Sequence, residues 1–143
     1  MERWNPYETL LNASNVGGLS LKWRYATFSG VASSPAVVNG VVYVGSYDGN
    51  IYALSASTGA KLWAYTTGGP VDSAPAVVNG VVYVGSFDDN VYALNASTGA
   101  KLWSYATGGA VETSAPTVAN EVVYVNSYDG NIYALNASTG TKL

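Results

Sequence analysis

Residues 71–110 read VDSAPAVVNGVVYVGSFDDNVYALNASTGAKLWSYATGGA, and this stretch decides the fold. Residues 31–70 match it at about 31 of 40 positions, and tryptophans recur at the same spacing, at Trp23, Trp63 and Trp103. A repeat of this length is typical of a solenoid, a propeller or another array of similar units. The chain is therefore built from copies of one small structural unit.

Each unit contains four segments with β-strand character, separated by turn residues. The segments are rich in Val, Ile and Tyr, and no helical periodicity interrupts them. Asn39-Gly40 and Asn79-Gly80 predict two-residue hairpin turns, because both residues of such a turn take a positive φ. Asp48-Gly49 predicts a second turn of the same kind. The sequence therefore predicts an all-β chain.

Four antiparallel strands in about 40 residues are typical of the blades of a β-propeller, which pack face to face around a central axis. The third repeat ends before its fourth strand, and a matching fourth-strand pattern stands near the start of the chain. We divide the chain into a lead-in (1–20), an outermost strand (21–30) and three blades (31–70, 71–110 and 111–143, the last without its fourth strand).

Three blades do not close a ring, since propellers usually have about 4 to 8. An open array exposes apolar blade faces and an unpaired strand edge. We expect two copies to form a six-bladed homodimer about a two-fold axis, each donating the strand that contains Trp23 to the other's third blade. The alternative is that the chain is an excised piece of a longer propeller with seven or eight blades.

Residues 53–63 read ALSASTGAKLW, and the same element recurs at 93–103 and begins again at Ala134. It resembles the tryptophan-docking motif of pyrroloquinoline-quinone (PQQ) repeats, Ala-x-Asp-x-x-x-Gly-x-x-x-Trp, with Ser or Asn in place of the aspartate. Residues 15–19 are similar to the lead-in of quinoprotein-like propellers. The resemblance implies that each tryptophan packs between neighbouring blades against a Thr-Gly turn. The residues in these structural roles are Trp23, Trp63, Trp103, Gly59, Gly99 and Gly140.

Family members that resemble alcohol dehydrogenases hold PQQ under a vicinal disulfide, together with calcium. This chain has no Cys and no His, so the common general base, thiolate nucleophile and soft metal ligands are missing. One carboxylate in each Ser-Tyr-Asp-Gly-Asn turn is far from the six to eight oxygens of a calcium site. We therefore expect no enzyme activity, no PQQ and no calcium. The alternatives are a fragment of a PQQ-dependent dehydrogenase-like propeller and, from twelve tyrosines and four tryptophans, a multivalent carbohydrate-binding propeller.

A candidate ligand site lies where the innermost strands line the central channel of a propeller. Asp72 and Glu112 occupy corresponding positions just before the first strand of their blades, beside small polar residues. One interpretation is that these residues bind a small polar ligand. The alternative is that small residues are needed there because the blades converge. The candidate set is Ser34, Asp72, Ser73, Glu112 and Thr113.

The charge of the chain limits its partners. Its net charge is -3 and only 10% of its residues are charged, so no basic surface is available for nucleic acid. No run approaches the roughly 20 apolar residues of a membrane helix, and no signal-peptide core is present. We expect a non-catalytic scaffold for a protein or a small ligand, by analogy with the fold. The resemblance suggests a periplasmic or extracellular location.

Overall fold

A computed structural model of the chain describes residues 14–112 and 115–143. This part contains eleven β-strands, one 3-10 turn (Val16–Gly18) and no α-helix, which confirms the all-β prediction. The strands are β1 (Ala36–Val38), β2 (Val41–Gly45), β3 (Asn50–Ser55), β4 (Lys61–Thr66), β5 (Ala76–Val78), β6 (Val81–Gly85), β7 (Asn90–Asn95), β8 (Lys101–Ala106), β9 (Thr117–Ala119), β10 (Val122–Asn126) and β11 (Ile132–Asn136).

The strands form three antiparallel sheets, each a meander of strands that are consecutive in the sequence. β1–β4 make blade 1, β5–β8 make blade 2, and β9–β11 make blade 3, in which β11 is an edge strand. Blades 1 and 2 share one register, in which Trp63 pairs with Ala53 and Trp103 pairs with Ala93. The chain folds as consecutive propeller blades, as the repeat predicts.

The tight turn between the first two strands of each blade has the predicted geometry. Asn39 has φ 50° and Gly40 has φ 76°, and the turn of blade 2 is the same. In blade 3 these positions are Asn120, with φ 49°, and Glu121, with φ 63°. Glu121 thus holds a left-handed backbone conformation that favours glycine.

The second turn differs from the prediction. Asp48-Gly49 was expected to form a two-residue turn with positive φ at both positions, but four residues separate β2 from β3 and of these only Gly49 has a positive φ. The reason is the Asp48 carboxylate, which accepts hydrogen bonds from the Asn50 N–H (3.0 Å) and the Tyr52 hydroxyl (2.8 Å). These bonds stabilise a wider loop.

The apolar cores lie between adjacent blades and not within them. Ile51 of blade 1 and Val82 of blade 2 share one cluster and are fully buried. Val91 of blade 2 and Val123 of blade 3 share the next. This follows from the flatness of a single blade, which can bury its faces only against neighbours.

The segment predicted as an outermost strand, residues 21–30, forms no strand in the described structure. Trp23 and Tyr25 pack instead against the free face of blade 1, beside Val44, Tyr52 and Leu54. Residues 21–27 therefore lie where the fourth strand of a preceding blade would lie. In residues 14–112 and 115–143, no helix has the length and hydropathy needed to cross a membrane.

Candidate functional site

Each of the three seams between a tryptophan and the next blade has the same geometry. The indole Nε1 of Trp63 donates to the Ala96 carbonyl oxygen at 2.9 Å. A Cβ atom at Gly99 would lie 2.7 Å from the Trp63 indole, so only glycine leaves room for the ring. The equivalent contacts join Trp23 to Gly59 and the Ala56 carbonyl, and Trp103 to Gly140 and the Ala137 carbonyl.

A tyrosine from the second strand of each of the first two blades reaches the same carbonyl group. Tyr43 donates to Ala96 O at 3.1 Å, and Tyr83 donates to Ala137 O at 3.2 Å. Burial raises the pKa of both phenols. These two carbonyls therefore accept two hydrogen bonds each. This role was not predicted from the sequence, although the Tyr in each Val-Val-Tyr-Val run marks it.

The inner end of each closed seam needs a glycine at the end of the second strand. A Cβ atom at Gly45 would lie 2.5 Å from Val71 Cγ1, and one at Gly85 would overlap Val111 in the same way. In blade 3 the corresponding residue is Asn126, which is exposed. The third blade therefore differs from the others at the point where a following blade would approach most closely.

An aspartate in each second turn also bonds to the segment that precedes its blade. The Asp88 carboxylate of blade 2 accepts the Tyr92 hydroxyl (2.6 Å) and the backbone N–H of Gly68 from the end of blade 1 (2.6 Å). Asp48 bonds Tyr52 and Phe28 in the same way, and Asp129 bonds Tyr133 and Gly108. The aspartates thus do more than shape the turn.

These hydrogen bonds set the ionisation of the aspartates and tyrosines. Burial raises the pKa of Asp88, but the hydrogen bonds from Tyr92, Gly68 and Asn90 together outweigh it and hold the pKa below its ordinary value. Burial and the bond to Asp48 raise the pKa of Tyr52 to about 12. Each pair is therefore an ionised carboxylate and a neutral phenol across the neutral pH range.

The predicted channel residues divide into two groups. Ser73 is fully buried and its hydroxyl accepts the Gly85 N–H at 3.1 Å. Ser33, and not the exposed Ser34, is its counterpart in blade 1, and donates to the Ser73 carbonyl oxygen at 3.1 Å. These serines connect converging blades. Thr113 lies outside the described residues.

Asp72 and Glu112 both lie near the phenols of Tyr47 and Tyr128. The Tyr47 hydroxyl donates to Asp72 at 2.9 Å, and the Tyr47 ring packs edge-on against Phe87. A hydrogen bond with Glu112 raises the pKa of Tyr128, and the charge of Asp72 adds to this effect. The structure therefore brings these two predicted residues together as hydrogen-bond acceptors for phenols of their own chain.

The described residues do not fit the PQQ and calcium that the resemblance implies for dehydrogenases. Residues 14–112 and 115–143 hold no group of three or more Asp, Glu, His or Cys that could bind a metal ion. Trp63 and Trp103 are buried in closed seams, so neither offers a free ring face for a quinone. The sequence has no cysteine for a vicinal disulfide.

Two equivalent grooves open between neighbouring blades. One has a volume of about 500 Å³ and runs between blades 1 and 2, beside Leu62. The other, of about 570 Å³, runs between blades 2 and 3, beside Leu102. Leu62 and Leu102 are 54% and 52% exposed, so each groove presents an apolar side chain to solvent at a fixed repeat.

The family model described as outer membrane protein assembly factor BamB matches residues 18–72 and 48–143. The chain belongs to this family of PQQ-repeat propellers. The BamB crystal structure from Moraxella catarrhalis is 25% identical over 87% of the chain and 40% of its own length, with a TM-score of 0.75.

Two dehydrogenases are also similar. Europium-containing methanol dehydrogenase is 26% identical over 93% of the chain and 28% of its own length, with a TM-score of 0.81. Quinohemoprotein alcohol dehydrogenase from Comamonas testosteroni is 30% identical over 93% of the chain and 23% of its own, with a TM-score of 0.81. The chain thus spans less than half the length of these structures. No curated protein matches it.

Proposed function

We propose that this chain is part of a non-catalytic PQQ-repeat propeller scaffold that binds a protein partner. The observation that carries the proposal is how the repeated side chains are used. Asp88 and Asp129 bond to the preceding blade and Asp48 bonds to Phe28 of the N-terminal segment, whereas Leu62 and Leu102 project into open, equivalent grooves. These aspartates and the apolar clusters between blades hold the stack together, and further apolar surface is left for a partner.

The family supports this function. The matching family model describes an assembly factor for outer membrane proteins, and assembly factors act by contacting other proteins. We therefore place the scaffold in the periplasm or outside the cell and give it a protein partner in the assembly of outer membrane proteins. The scaffold also assembles with itself, through completion of blade 3.

The grooves provide the test of partner binding. Immobilised chain is used to capture proteins from an envelope extract of the source organism. We expect the double variant Leu62→Ser/Leu102→Ser to lose the captured partner, because it removes apolar contact surface from both grooves. Lys61→Ser/Lys101→Ser is the matched control, since these lysines are the exposed neighbours on the same strands. Equal capture by the leucine variant, or no capture by the wild type, would overturn the proposal.

A fragment of a PQQ-dependent dehydrogenase is the second candidate. The observation in its favour is the TM-score of 0.81 over 93% of the chain with two dehydrogenases. Titration with PQQ and Ca²⁺ separates the two functions. The scaffold predicts no saturable change in quinone absorbance and no dye reduction on addition of an alcohol. Either signal, with the second dependent on alcohol, would favour the dehydrogenase.

A further inference from the structure

We propose that the groove between blades 2 and 3 selects a partner segment that carries an arginine or a lysine next to an apolar residue, and that Glu121 makes the selection. The apolar side chain packs beside Leu102, and the Glu121 carboxylate binds the neighbouring cation. This inference rests on the proposed scaffold function. It deepens that function by stating the chemistry of the partner and by distinguishing one groove from the other.

The two grooves have equivalent linings with one difference in charge. The groove between blades 1 and 2 contains the turn Asn79-Gly80, and the groove between blades 2 and 3 contains the corresponding turn Asn120-Glu121. Among the described residues, Glu121 is the only charged one that lines either groove. The second groove therefore carries a carboxylate where the first has no side chain.

Glu121 holds a backbone conformation that disfavours it. Its φ is 63°, in the left-handed region, and the equivalent Gly80 has φ 77°. The turn does not need the glutamate. The Glu121 carbonyl accepts the Ala137 N–H at 2.8 Å, and the Gly80 carbonyl makes the same bond in blade 2. Glu121 thus costs stability without serving the turn, and backbone strain of this kind clusters at functional sites.

The Glu121 carboxylate is available to a partner. The residue is exposed, and its side chain has no hydrogen bond or ion pair within residues 14–112 and 115–143. The equivalent position is also open in a blade that has neighbours on both sides, since a Cβ atom built at Gly80 meets nothing within 4 Å. The open space is therefore a property of the turn and does not depend on which blade comes last.

The lining of the groove determines the chemistry of its occupant. The apolar side chains of Val81, Val118 and Leu102 line it together with Glu121. A carboxylate beside apolar surface suits an arginine or a lysine, because the stem of either residue packs on the apolar part while its charged end pairs with the carboxylate. An acidic segment is repelled. Charged groups of this kind set the specificity of an interface more than its affinity.

Two small peptides test the selection, namely acetyl-Leu-Arg amide and its neutral isostere acetyl-Leu-citrulline amide. Their binding to the chain is followed by the NMR shifts of the backbone amides, which report on each groove separately. At the groove between blades 2 and 3 we expect the arginine peptide to bind about three-fold more tightly, as for an exposed ion pair. High salt should remove the difference. At the groove between blades 1 and 2 we expect equal binding of both peptides.

Two substitutions assign the preference to Glu121. Glu121→Gln keeps the length of the side chain and removes its charge, so both peptides should bind the second groove equally. Gly80→Glu places a carboxylate at the equivalent position of the first groove and should create the preference there. Circular dichroism checks that each variant keeps its β-sheet content.

The possible results separate this inference from the scaffold function. Equal binding of the two peptides to the second groove of the wild type, or a preference that Glu121→Gln leaves unchanged, overturns the selection by Glu121 and leaves the grooves as the partner surface. No shift at either groove with either peptide contradicts both ideas.

Discussion

Blades 2 and 3 have nearly the same sequence and very different burial. Val91 of blade 2 is fully buried, whereas its counterpart Ile132 in blade 3 is 79% exposed. Tyr83 is 4% exposed and its counterpart Tyr124 is 42% exposed. Within residues 14–112 and 115–143, blade 2 has a neighbour on both faces and blade 3 on one. The burial of a side chain thus depends on whether its blade has a neighbour, and not on the sequence of the blade itself. The same holds in other repeat proteins, where each repeat is stabilised by its nearest neighbours.

The largest expected effect comes from opening a closed seam. Trp63→Ala removes an indole that is only 9% exposed, together with its bond to Ala96. We expect the free energy of unfolding to fall by roughly 3 to 5 kcal/mol, measured by urea denaturation. Trp23→Ala is the comparison, and we expect a smaller loss because Trp23 is half-buried and its segment is unpaired. Equal losses would show that the free face of blade 1 is as stable as a closed seam.

The second largest effect on stability is expected from exchanging the residues that end the second strands of blades 2 and 3. Gly85→Asn places in blade 2 the residue that blade 3 carries at Asn126, and its Cβ would overlap Val111. We expect a loss of about 3 kcal/mol, typical of strong overpacking, in the same denaturation assay. Asn126→Gly, at an exposed position, should change the stability of the monomer by no more than the entropy of one glycine. Tolerance of Gly85→Asn would mean that the seams can open without cost.

The aspartate of the second turn gives a smaller effect. Asp88→Asn weakens the charge-assisted bonds from Tyr92 and Gly68, and we expect a loss of about 1 to 2 kcal/mol at pH 7 because the site is partly exposed. Asp89→Asn, on the exposed neighbour in the same turn, is the control. Identical denaturation curves for Asp88→Asn and Asp89→Asn would contradict the role of Asp88 in joining two blades.

The same carboxylates make stability depend on pH. The pKa values of Asp48 and Asp88 are lower in the folded protein than in the unfolded chain, where they lie near 4. Their stabilising effect is therefore complete above about pH 5, and falls as the pH drops through the unfolded and then the folded value. We expect unfolding free energies at pH 6, 4 and 3 to decrease in that order. Asp88→Asn should make the free energy of unfolding decrease less steeply between pH 6 and pH 3. An unchanged pH dependence would show that other groups cause the decrease.

The smallest expected effect is a gain in blade 3. Glu121 has a positive φ of 63° at the position where Gly40 and Gly80 close the turns of blades 1 and 2. Glu121→Gly relieves this strain and is expected to raise the free energy of unfolding by about 1 kcal/mol. Gly40→Ala, which places a side chain at the equivalent position of blade 1, should lower the free energy of unfolding. Thermal unfolding of both variants checks the sign, and a loss with Glu121→Gly would show that the glutamate makes a compensating contact.

The fold could be predicted from the sequence because the regular repeat specifies four strands in each unit. Asn39-Gly40 and the Val-Val-Tyr-Val runs specify hairpins of fixed length, and both appear where the sequence places them. The second turn was predicted wrongly because Asp48-Gly49 resembles a hairpin pair. The hydrogen bond from Tyr52, four residues away, determines its shape. That interaction is local in the sequence, yet no dipeptide preference reveals it.

The site was predictable only in part. Asp72 and Glu112 act on the same two phenols, but these partners, Tyr47 and Tyr128, were not foreseen. The sequence assigned the tyrosines to the blade core, and a strand pattern does not show which tyrosines bond to Asp72 and Glu112. The role of Gly45 and Gly85 was also missed, since their reason is a valine of the following blade. Contacts between repeats cannot be predicted from the sequence of a single repeat.

The constant spacing of the seams has a consequence for folding kinetics. The three tryptophan-to-carbonyl bonds join residues 33, 33 and 34 positions apart. The entropic cost of closing a chain loop depends on its length, so every seam closes a loop of equal cost. Contacts between distant parts of the sequence are not needed until a ring closes. No seam is therefore favoured to close first, and we expect a longer array to form its seams at nearly the rate of a short one.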